Sequence, residues 1–308
     1  MISFVIINYN TYSYTEKCVF SICNNFPNEF FEIIIVDNGE SNDDFEILTA
    51  FSKDFKFVRL FKAQNKGFGH ANNFGISKAK GEFVFIINSD AELLIFDDYL
   101  KILDLFDKTN IGLIAPKVLN TDDTIQPNSS LFVTLFSSLL RFLKVGQLIY
   151  NSPLISKIIK LIGHNNRLIS SYFNRDKNAD IEKFVDWSSG CGLLFRKDDF
   201  EQFGSFDENF FMYYEDEELC YRYKLNNKGV FYYPGIVIKH HVGGSNINTI
   251  NAKIELEKVK SEFYYYKKHY AEKLAKLKLI YLLFSILLFP FNWRFRLIAK
   301  SFLKGELE

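Results

Sequence analysis

Net charge is the first absence: 37 Lys and Arg are balanced by 37 Asp and Glu, for a formal charge of +0. With no global basic field, nucleic acid is not an expected partner. Cysteine is scarce, with only Cys18, Cys23, Cys191 and Cys220. None form a Cys-x-x-Cys pair, and their scatter matches neither a zinc site nor a disulfide framework. Buried free thiols in a reducing compartment are the expectation. The N-terminus enters a strand at once without a basic n-region, so no signal peptide is expected. There is no internal repeat and no low-complexity linker. No apolar run reaches the roughly 20 residues needed to span a bilayer.

What is present reads as globular. Hydrophobic residues make up 48% and charged residues 24%, an ordinary balance. The 34 Phe and 17 Tyr provide for a large aromatic core. The 308 residues suffice for one large or two small domains.

Apolar β-type runs ending in polar, turn-forming residues recur along the first 90 positions. Ser3–Ile7 leads into Asn8-Tyr9-Asn10-Thr11. A helix over Tyr14–Asn24 follows, capped by Ser13 or Thr15. Glu32–Val36 ends in Asp37-Asn38-Gly39, followed by a helix over Asp44–Phe51. Phe57–Phe61 leads into Gln64-Asn65-Lys66-Gly67-Phe68-Gly69, then a helix over Ala71–Lys80. Glu82–Ile87 ends in Asn88-Ser89-Asp90. Four strand–helix alternations imply a parallel sheet of right-handed βαβ units, with every loop at one binding edge.

Further on, Phe96–Phe106 reads as an amphipathic helix and Ile111–Val118 as a strand. Apolar stretches Leu131–Leu143 and Leu154–Ile162 read as an inserted helical subdomain over about 120–183. The sheet resumes at Phe184–Arg196 as strand, Gly-containing bend and strand. Helices over Asp198–Phe203 and Glu217–Asn226 and strands Gly229–Tyr233 and Ile236–Lys239 complete it. The domain expectation is 1–250 for the α/β part and 251–308 for a C-terminal helical extension.

Each strand-end motif has a chemical reading beside a plain one. Asp90 with Asn88 and Ser89 suits a hard divalent cation shared with phosphate oxygens; a strand followed by an Asx turn explains it equally. Asp37 can accept from a nucleobase N–H or a ribose hydroxyl, or simply form a turn. The Asn65–Gly69 loop lets backbone approach a phosphate or sugar. It is a poor dinucleotide fingerprint, since the third glycine position is Asn72 and the loop follows the third strand. Glu215-Asp216-Glu217-Glu218, after Phe210-Phe211-Met212-Tyr213-Tyr214, is the densest signal. An aromatic lead-in that partly desolvates Glu215 and Asp216 makes a better general base; a solvated helix N-terminus is the alternative. His240, at a strand end, is a metal-ligand candidate or a structural histidine.

In order, these motifs resemble an inverting family-two glycosyltransferase of the GT-A fold, in the rhamnosyltransferase-like branch. The matching residues run from Ser3 to Ser245: Val5-Ile6-Ile7-Asn8-Tyr9-Asn10, Val36-Asp37-Asn38, Asn65-Lys66-Gly67-Phe68-Gly69 with Asn72, Asn88-Ser89-Asp90, Trp187-Ser188-Ser189-Gly190, Phe206-Asp207-Glu208, Glu215-Asp216, and His240 with Val242-Gly243-Gly244-Ser245. The resemblance implies a Rossmann-like, mostly parallel central sheet flanked by helices. It implies a sugar moved, with inversion, from a nucleoside diphosphate donor (dTDP- or UDP-sugar, rhamnosyl-type included) to a glycan or lipid-linked acceptor in cell-surface polysaccharide synthesis. It assigns Asn8, Asn10 and Asp37 to the nucleoside and Asn65, Gly67, Asn72, Asn88 and Ser89 to the donor. Asp90 and His240 hold Mg²⁺ or Mn²⁺. Asp216 is the base, with Glu215 next in line, and Trp187, Gly190, Glu218 and Arg222 face the acceptor. Two positions depart from the family pattern: Asn88 replaces the first acid of the metal motif, and Glu218 stands where many relatives have Asp.

At the C-terminus a charged helix over Lys253–Ala275 precedes the apolar stretch Leu279–Phe291. Lys273, Lys276 and Lys278 flank it on one side, and Arg294, Arg296, Lys300 and Lys304 on the other. That pattern fits either an interfacial helix pair on an anionic membrane or a core or dimer helix. The expected location is cytoplasmic, peripheral on the inner face of the membrane. Two other function classes fit less of the sequence: a non-catalytic sugar-nucleotide or glycan-binding protein, and a scaffold of a polysaccharide assembly complex.

Overall fold

The computed structural model describes residues 1–26, 30–40, 42–108, 110–143, 179–241, 252–288 and 293–307. The expected helix Leu154–Ile162 and the Val242–Ser245 motif lie outside the described residues. In chain order come β1 (Ile2–Asn8), α1 (Tyr12–Asn25), β2 (Phe31–Asp37), α2 (Asn42–Ser52), β3 (Val58–Lys62), α3 (Phe68–Lys78), β4 (Phe83–Asn88), β5 (Ala91–Phe96), α4 (Tyr99–Asp104), β6 (Ile111–Leu119), β7 (Ser129–Ser130) and α5 (Leu135–Phe142). Then follow β8 (Lys183–Val185), β9 (Trp187–Ser188), β10 (Gly192–Arg196), α6 (Lys197–Phe203), α7 (Glu215–Leu225), β11 (Gly229–His240), α8 (Ala252–His269), α9 (Ala271–Leu288) and α10 (Trp293–Leu303). The described residues cluster in two compact units.

The first unit takes residues 1–131, 179–209 and 215–241. Its main sheet has the strand order β3-β2-β1-β4-β10-β6-β11-β5, with β8 also paired to β11. The expected mostly parallel sheet is corrected to a mixed one. The pairs β3–β2, β2–β1, β1–β4 and β6–β11 are parallel. However, β10 runs antiparallel to both β4 and β6, and β5 and β8 run antiparallel to β11. A continuous apolar run reports burial on both faces but not the direction of the strand. Phe4, Ile6, Ile33, Ile35, Phe85, Ile87 and Leu194 form one side of the core.

The two reversed strands position the site. An antiparallel strand begins where its neighbours end. Gly192 pairs with Ile87, and the Asn88 N–H donates to Cys191 O at 3.1 Å. Ala91 pairs with His240, the last residue of β11. The starts of β10 and β5 therefore join the carboxyl edge of the parallel strands.

Other expectations need local correction. The expected helix Phe96–Phe106 starts later: Phe96 closes the strand Ala91–Phe96, to which no element is assigned from sequence, and α4 begins only at Tyr99. Asp98 caps α4 by accepting from the N–H groups of Leu100 and Lys101. Thr11, rather than Ser13 or Thr15, occupies the N-cap of α1, without a side-chain cap bond, because its hydroxyl is used elsewhere. Gly229–Tyr233 and Ile236–Lys239 are one strand, with a register shift between Tyr233 and Val237.

The second unit takes residues 132–143, 210–214, 252–288 and 293–307. The expected helix Lys253–Ala275 breaks at Tyr270, between α8 and α9. Phe142 stacks on Tyr281 at 4.0 Å between ring centroids. Arg294 binds Glu255 Oε2 at 2.5 Å and donates to Phe142 O at 2.7 Å. Tyr281 donates to Glu262. Buried charges are thus paired, as a low-dielectric interior requires.

Candidate active site

Strand order places the polar ends of β2, β1 and β4 side by side: Asn8 pairs with Asp37, and Ile7 with Asn88. Asp37 is fully buried. Its Oδ1 accepts from Asn8 Nδ2 at 2.8 Å and from the Gly39 N–H at 3.2 Å, and its Oδ2 accepts from Lys62 Nζ at 2.5 Å. Three of its roughly four lone-pair positions are used, leaving one on Oδ2. Asn8 Oδ1 accepts from Thr15 Oγ1 at 2.8 Å and Thr11 Oγ1 at 3.2 Å. Asn10 has φ 54°, a left-handed conformation that Asn tolerates.

The β4–β5 turn carries the metal-type residues. Thr11 Oγ1 and Ser89 Oγ lie 3.1 Å apart, tying this turn to the start of α1. His240 Nε2 lies 3.1 Å from Asp90 Oδ1 and 3.3 Å from Asn88 Nδ2. The next residue reinforces the join: the His241 N–H donates to Asp90 O at 2.8 Å. The Asp90 and His240 side chains are each only 13% exposed. Among the described residues no group of three or more His, Cys, Asp or Glu could hold a metal ion. Asp90 and His240 form a pair, with the Asn88 amide beside them. One carboxylate, one imidazole and an amide fit a divalent cation that takes its other ligands from a bound anion and water.

The loop after β3 turns at Gly67, whose φ of 112° excludes most side chains. Asn65 Oδ1 accepts from the Gly67 N–H at 3.4 Å. Asn72 is buried and donates to Phe68 O at 3.0 Å. The next residue, Asn73, bonds both the N–H and the C=O of Phe206, and donates to Glu208 Oε1 at 2.9 Å. His70 lies 2.7 Å from Glu208 Oε2. Bonds from Asn73 and His70 lower the Glu208 pKa below the usual glutamate value.

The acidic run opens α7, and its members differ in environment. Asp216 is half-buried; its Oδ2 accepts from the Gly190 N–H at 3.0 Å and its Oδ1 from the Glu217 N–H at 2.8 Å. Gly190 is needed there, since a Cβ would lie 2.9 Å from the Phe68 ring. Glu215 is 5% exposed, and its Oε2 has no hydrogen-bond partner among the described residues. Burial, then the nearby Asp216, raises its pKa well above the usual value. Cys191 lies within electrostatic reach of both Asp216 and Asp90. Burial, with those two charges adding to it, pushes its thiol up to about 12.

Not every expected acceptor residue reaches open space. The fully buried Glu218 carboxylate accepts the single Arg222 Nε–H, shared between its two oxygens at 2.9 and 3.0 Å. The same guanidinium donates to the carbonyls of Phe203, Gly204 and Ser205. Trp187 Nε1 donates to Leu131 O at 3.0 Å. Sequence reasoning also missed Lys62, Thr11 and Gln126. Gln126 Nε2 lies 3.1 Å from His240 Nδ1 across 114 residues of chain, a separation at which no local pattern exists.

Known proteins provide an independent comparison. The chain is 26% identical over 201 residues to the low-salt glycan biosynthesis hexosyltransferase Agl10 of Haloferax volcanii, covering 64% of this chain and 54% of that protein. It therefore spans about half the length of Agl10. It is 22% identical over 260 residues to rhamnosyltransferase WbbL of Escherichia coli, covering 80% and 85% of the two chains. Its fold is similar to the crystal structure of GalNAc-T7 with UDP, GalNAc and Mn²⁺, with a TM-score of 0.59, 16% identity, and coverage of 91% and 54%. At that identity the likeness concerns the fold alone. The family model described as "Glycosyl transferase family 2" matches residues 3–201, well over half of the chain. The chain belongs to glycosyl transferase family 2 and has a GT-A-like α/β fold.

Proposed function

We propose that this protein transfers a sugar from a nucleoside diphosphate donor to a hydroxyl of a glycan or lipid-linked acceptor, inverting the anomeric carbon. The observation that carries this reading is a division of labour along one sheet edge. Asp90 and His240 face each other at 3.1 Å, and Asp216 is held by two backbone N–H groups beside Gly190. Asp216 takes the proton of the acceptor hydroxyl. The acceptor oxygen then bonds to the anomeric carbon while the bond from that carbon to the diphosphate oxygen breaks. Glu215 is the less accessible candidate: it is buried, and burial, then the nearby Asp216, raises its pKa well above the usual value. Asp90 and His240 would hold Mg²⁺ or Mn²⁺, which supplies positive charge for the diphosphate. The Mn²⁺ of the GalNAc-T7 structure supports that choice. Asp37, through its remaining Oδ2 lone pair, and Asn10 serve the nucleoside; Asn8 and Lys62 hold Asp37 in place. Asn65, Gly67, Asn72 and Ser89 shape the donor loops, and Gly190 and Trp187 lie on the acceptor side. The likeness to WbbL supports a rhamnosyl-type donor.

Among the described residues no helix is long and apolar enough to cross a membrane. However, Leu279, Leu283, Ile286 and Leu287 form an exposed stripe on α9, and Arg296, Lys300 and Lys304 are exposed after it. This favours peripheral attachment to an anionic membrane surface, where a lipid-linked acceptor resides. The test of the transferase reading is Asp216→Asn. Transfer should fall by at least about 10²-fold, as expected for loss of a general base, while Mn²⁺ and UDP still raise the unfolding temperature. Unchanged turnover would refute the role given to Asp216.

A further inference from the structure

The hydrogen bonds around His240 cannot all be satisfied as they stand. Its Nδ1 lies 3.1 Å from Gln126 Nε2, a donor. If Nδ1 accepts that bond, the ring hydrogen is on Nε2. That hydrogen can go to Asp90 Oδ1 at 3.1 Å, but it also faces Asn88 Nδ2, another donor, at 3.3 Å. Meanwhile Gln126 Oε1 is buried and has no hydrogen-bond partner among the described residues. An unmet buried acceptor is unfavourable, because the hydrogen bond it made to water is not replaced.

A half-turn of the Gln126 amide removes the conflict at Nε2 and gives the amide oxygen a partner, while the amide nitrogen takes the buried place the oxygen held. Its oxygen then accepts the Nδ1 hydrogen, and Nε2 presents a lone pair that Asn88 Nδ2 can meet. That lone pair also faces the Asp90 carboxylate, an arrangement that only a positive charge between the two makes favourable. Gln126 is well placed to impose this state. Its N–H donates to Val118 O at 2.9 Å, and the Leu119–Ile125 bridge closes the turn that presents it. The amide thus reaches the imidazole from the end of β6, while Asn88 and Asp90 reach it from the end of β4.

We propose that Gln126 is a positioning residue. Its amide oxygen keeps the His240 hydrogen on Nδ1 and so aims the Nε2 lone pair at a divalent cation held with Asp90. This rests on the reading of Asp90 and His240 as cation anchors. Histidine ligands generally need such an outer partner, and its loss typically costs about 10–100-fold in metal affinity.

The test uses the full chain, with Mn²⁺ alone as the probe. Affinity is read from the paramagnetic resonance of the free ion in wild type, Gln126→Met and Gln126→Glu. The Met variant keeps the length but not the acceptor and should bind about 10–100-fold more weakly. The Glu variant can only accept and should recover at least wild-type affinity, which a purely structural role would not give. The second readout is the nitrogen-15 spectrum of His240 in the metal-free protein, at about pH 8.5, where an ordinary imidazole is neutral. It should show hydrogen on Nδ1 in wild type and Gln126→Glu, and a shift towards Nε2 in Gln126→Met; because it needs no metal, it tests Gln126 independently. Wild-type Mn²⁺ affinity in Gln126→Met, or hydrogen on Nε2 in the wild type, overturns the proposal. A wild type with hydrogen on Nδ1 that binds no Mn²⁺ overturns the cation reading instead and leaves the tautomer assignment standing.

Discussion

Replacing Glu215 with Gln should change how stability depends on pH. Glu215 is 5% exposed, its Oε2 is unmet, and burial raises its pKa well above 4.5, with the Asp216 charge adding to the effect. The folded protein therefore holds a proton there over a pH range in which the unfolded chain has released it. Linkage then fixes the sign: the native state binds more protons, so unfolding free energy falls as pH rises above about 4.5 and levels off above the folded value. The slope is at most about 1.4 kcal/mol per pH unit, so between about pH 5 and 7 the ceiling is about 2.7 kcal/mol. Gln matches the neutral acid in size and does not titrate. The two proteins should be nearly equal in stability near pH 5, with the variant gaining steadily above it. Urea unfolding of wild type and Glu215→Gln at pH 5, 6, 7 and 8 measures the difference curve. Asp216→Asn should make the decline level off at a lower pH, because removing the neighbouring charge lowers the folded Glu215 pKa and narrows the range. Parallel curves for wild type and Glu215→Gln would refute the assignment of a retained proton.

Arg222→Ala should cost about 3–5 kcal/mol, because it strands the buried Glu218 carboxylate and three carbonyls. A loss under about 1 kcal/mol in urea unfolding, with acceptor binding weakened, would restore the acceptor role suggested by sequence. Gly190→Ala places a Cβ 2.9 Å from the Phe68 ring beside the N–H that holds Asp216, so turnover should fall about tenfold or more while Mn²⁺ affinity is kept. Leu283→Ser with Leu287→Ser should abolish co-sedimentation with anionic phosphatidylglycerol vesicles; retained binding would reject the α9 stripe as the membrane face.

Much of this site was legible because each parallel strand ended in a polar break. Asp37, Asn88-Ser89-Asp90 and His240 could be placed on one edge before any coordinates. Strand direction was not legible, since β10 is apolar on both faces and reads the same either way. The strand Ala91–Phe96 was not legible because it follows the Asn88-Ser89-Asp90 break directly and its last residue, Phe96, continues the apolar spacing of α4. The resemblance assigns Glu218 and Arg222 to the acceptor, and charge on a helix says nothing about burial; the i, i+4 spacing is the available sign that they pair with each other. Gln126 had no sign at all, because a single amide gains meaning only from the ring it touches.

The antiparallel strand β10 also sets the order in which the molecule can be assembled. It lies between β4 and β6, yet its residues are made about a hundred positions after the β4 residues they pair with. Until it arrives, only β3-β2-β1-β4 can pair, because β6 and β5 also wait for β11, which follows β10 in the chain; open hydrogen-bonding edges remain on β4 and on β6. Closing that gap fixes a long loop before the pairing repays it, which makes folding slow and leaves both edges open to other chains. A truncated chain ending before Gly192 should accordingly aggregate, even though β1–β4 are complete within it.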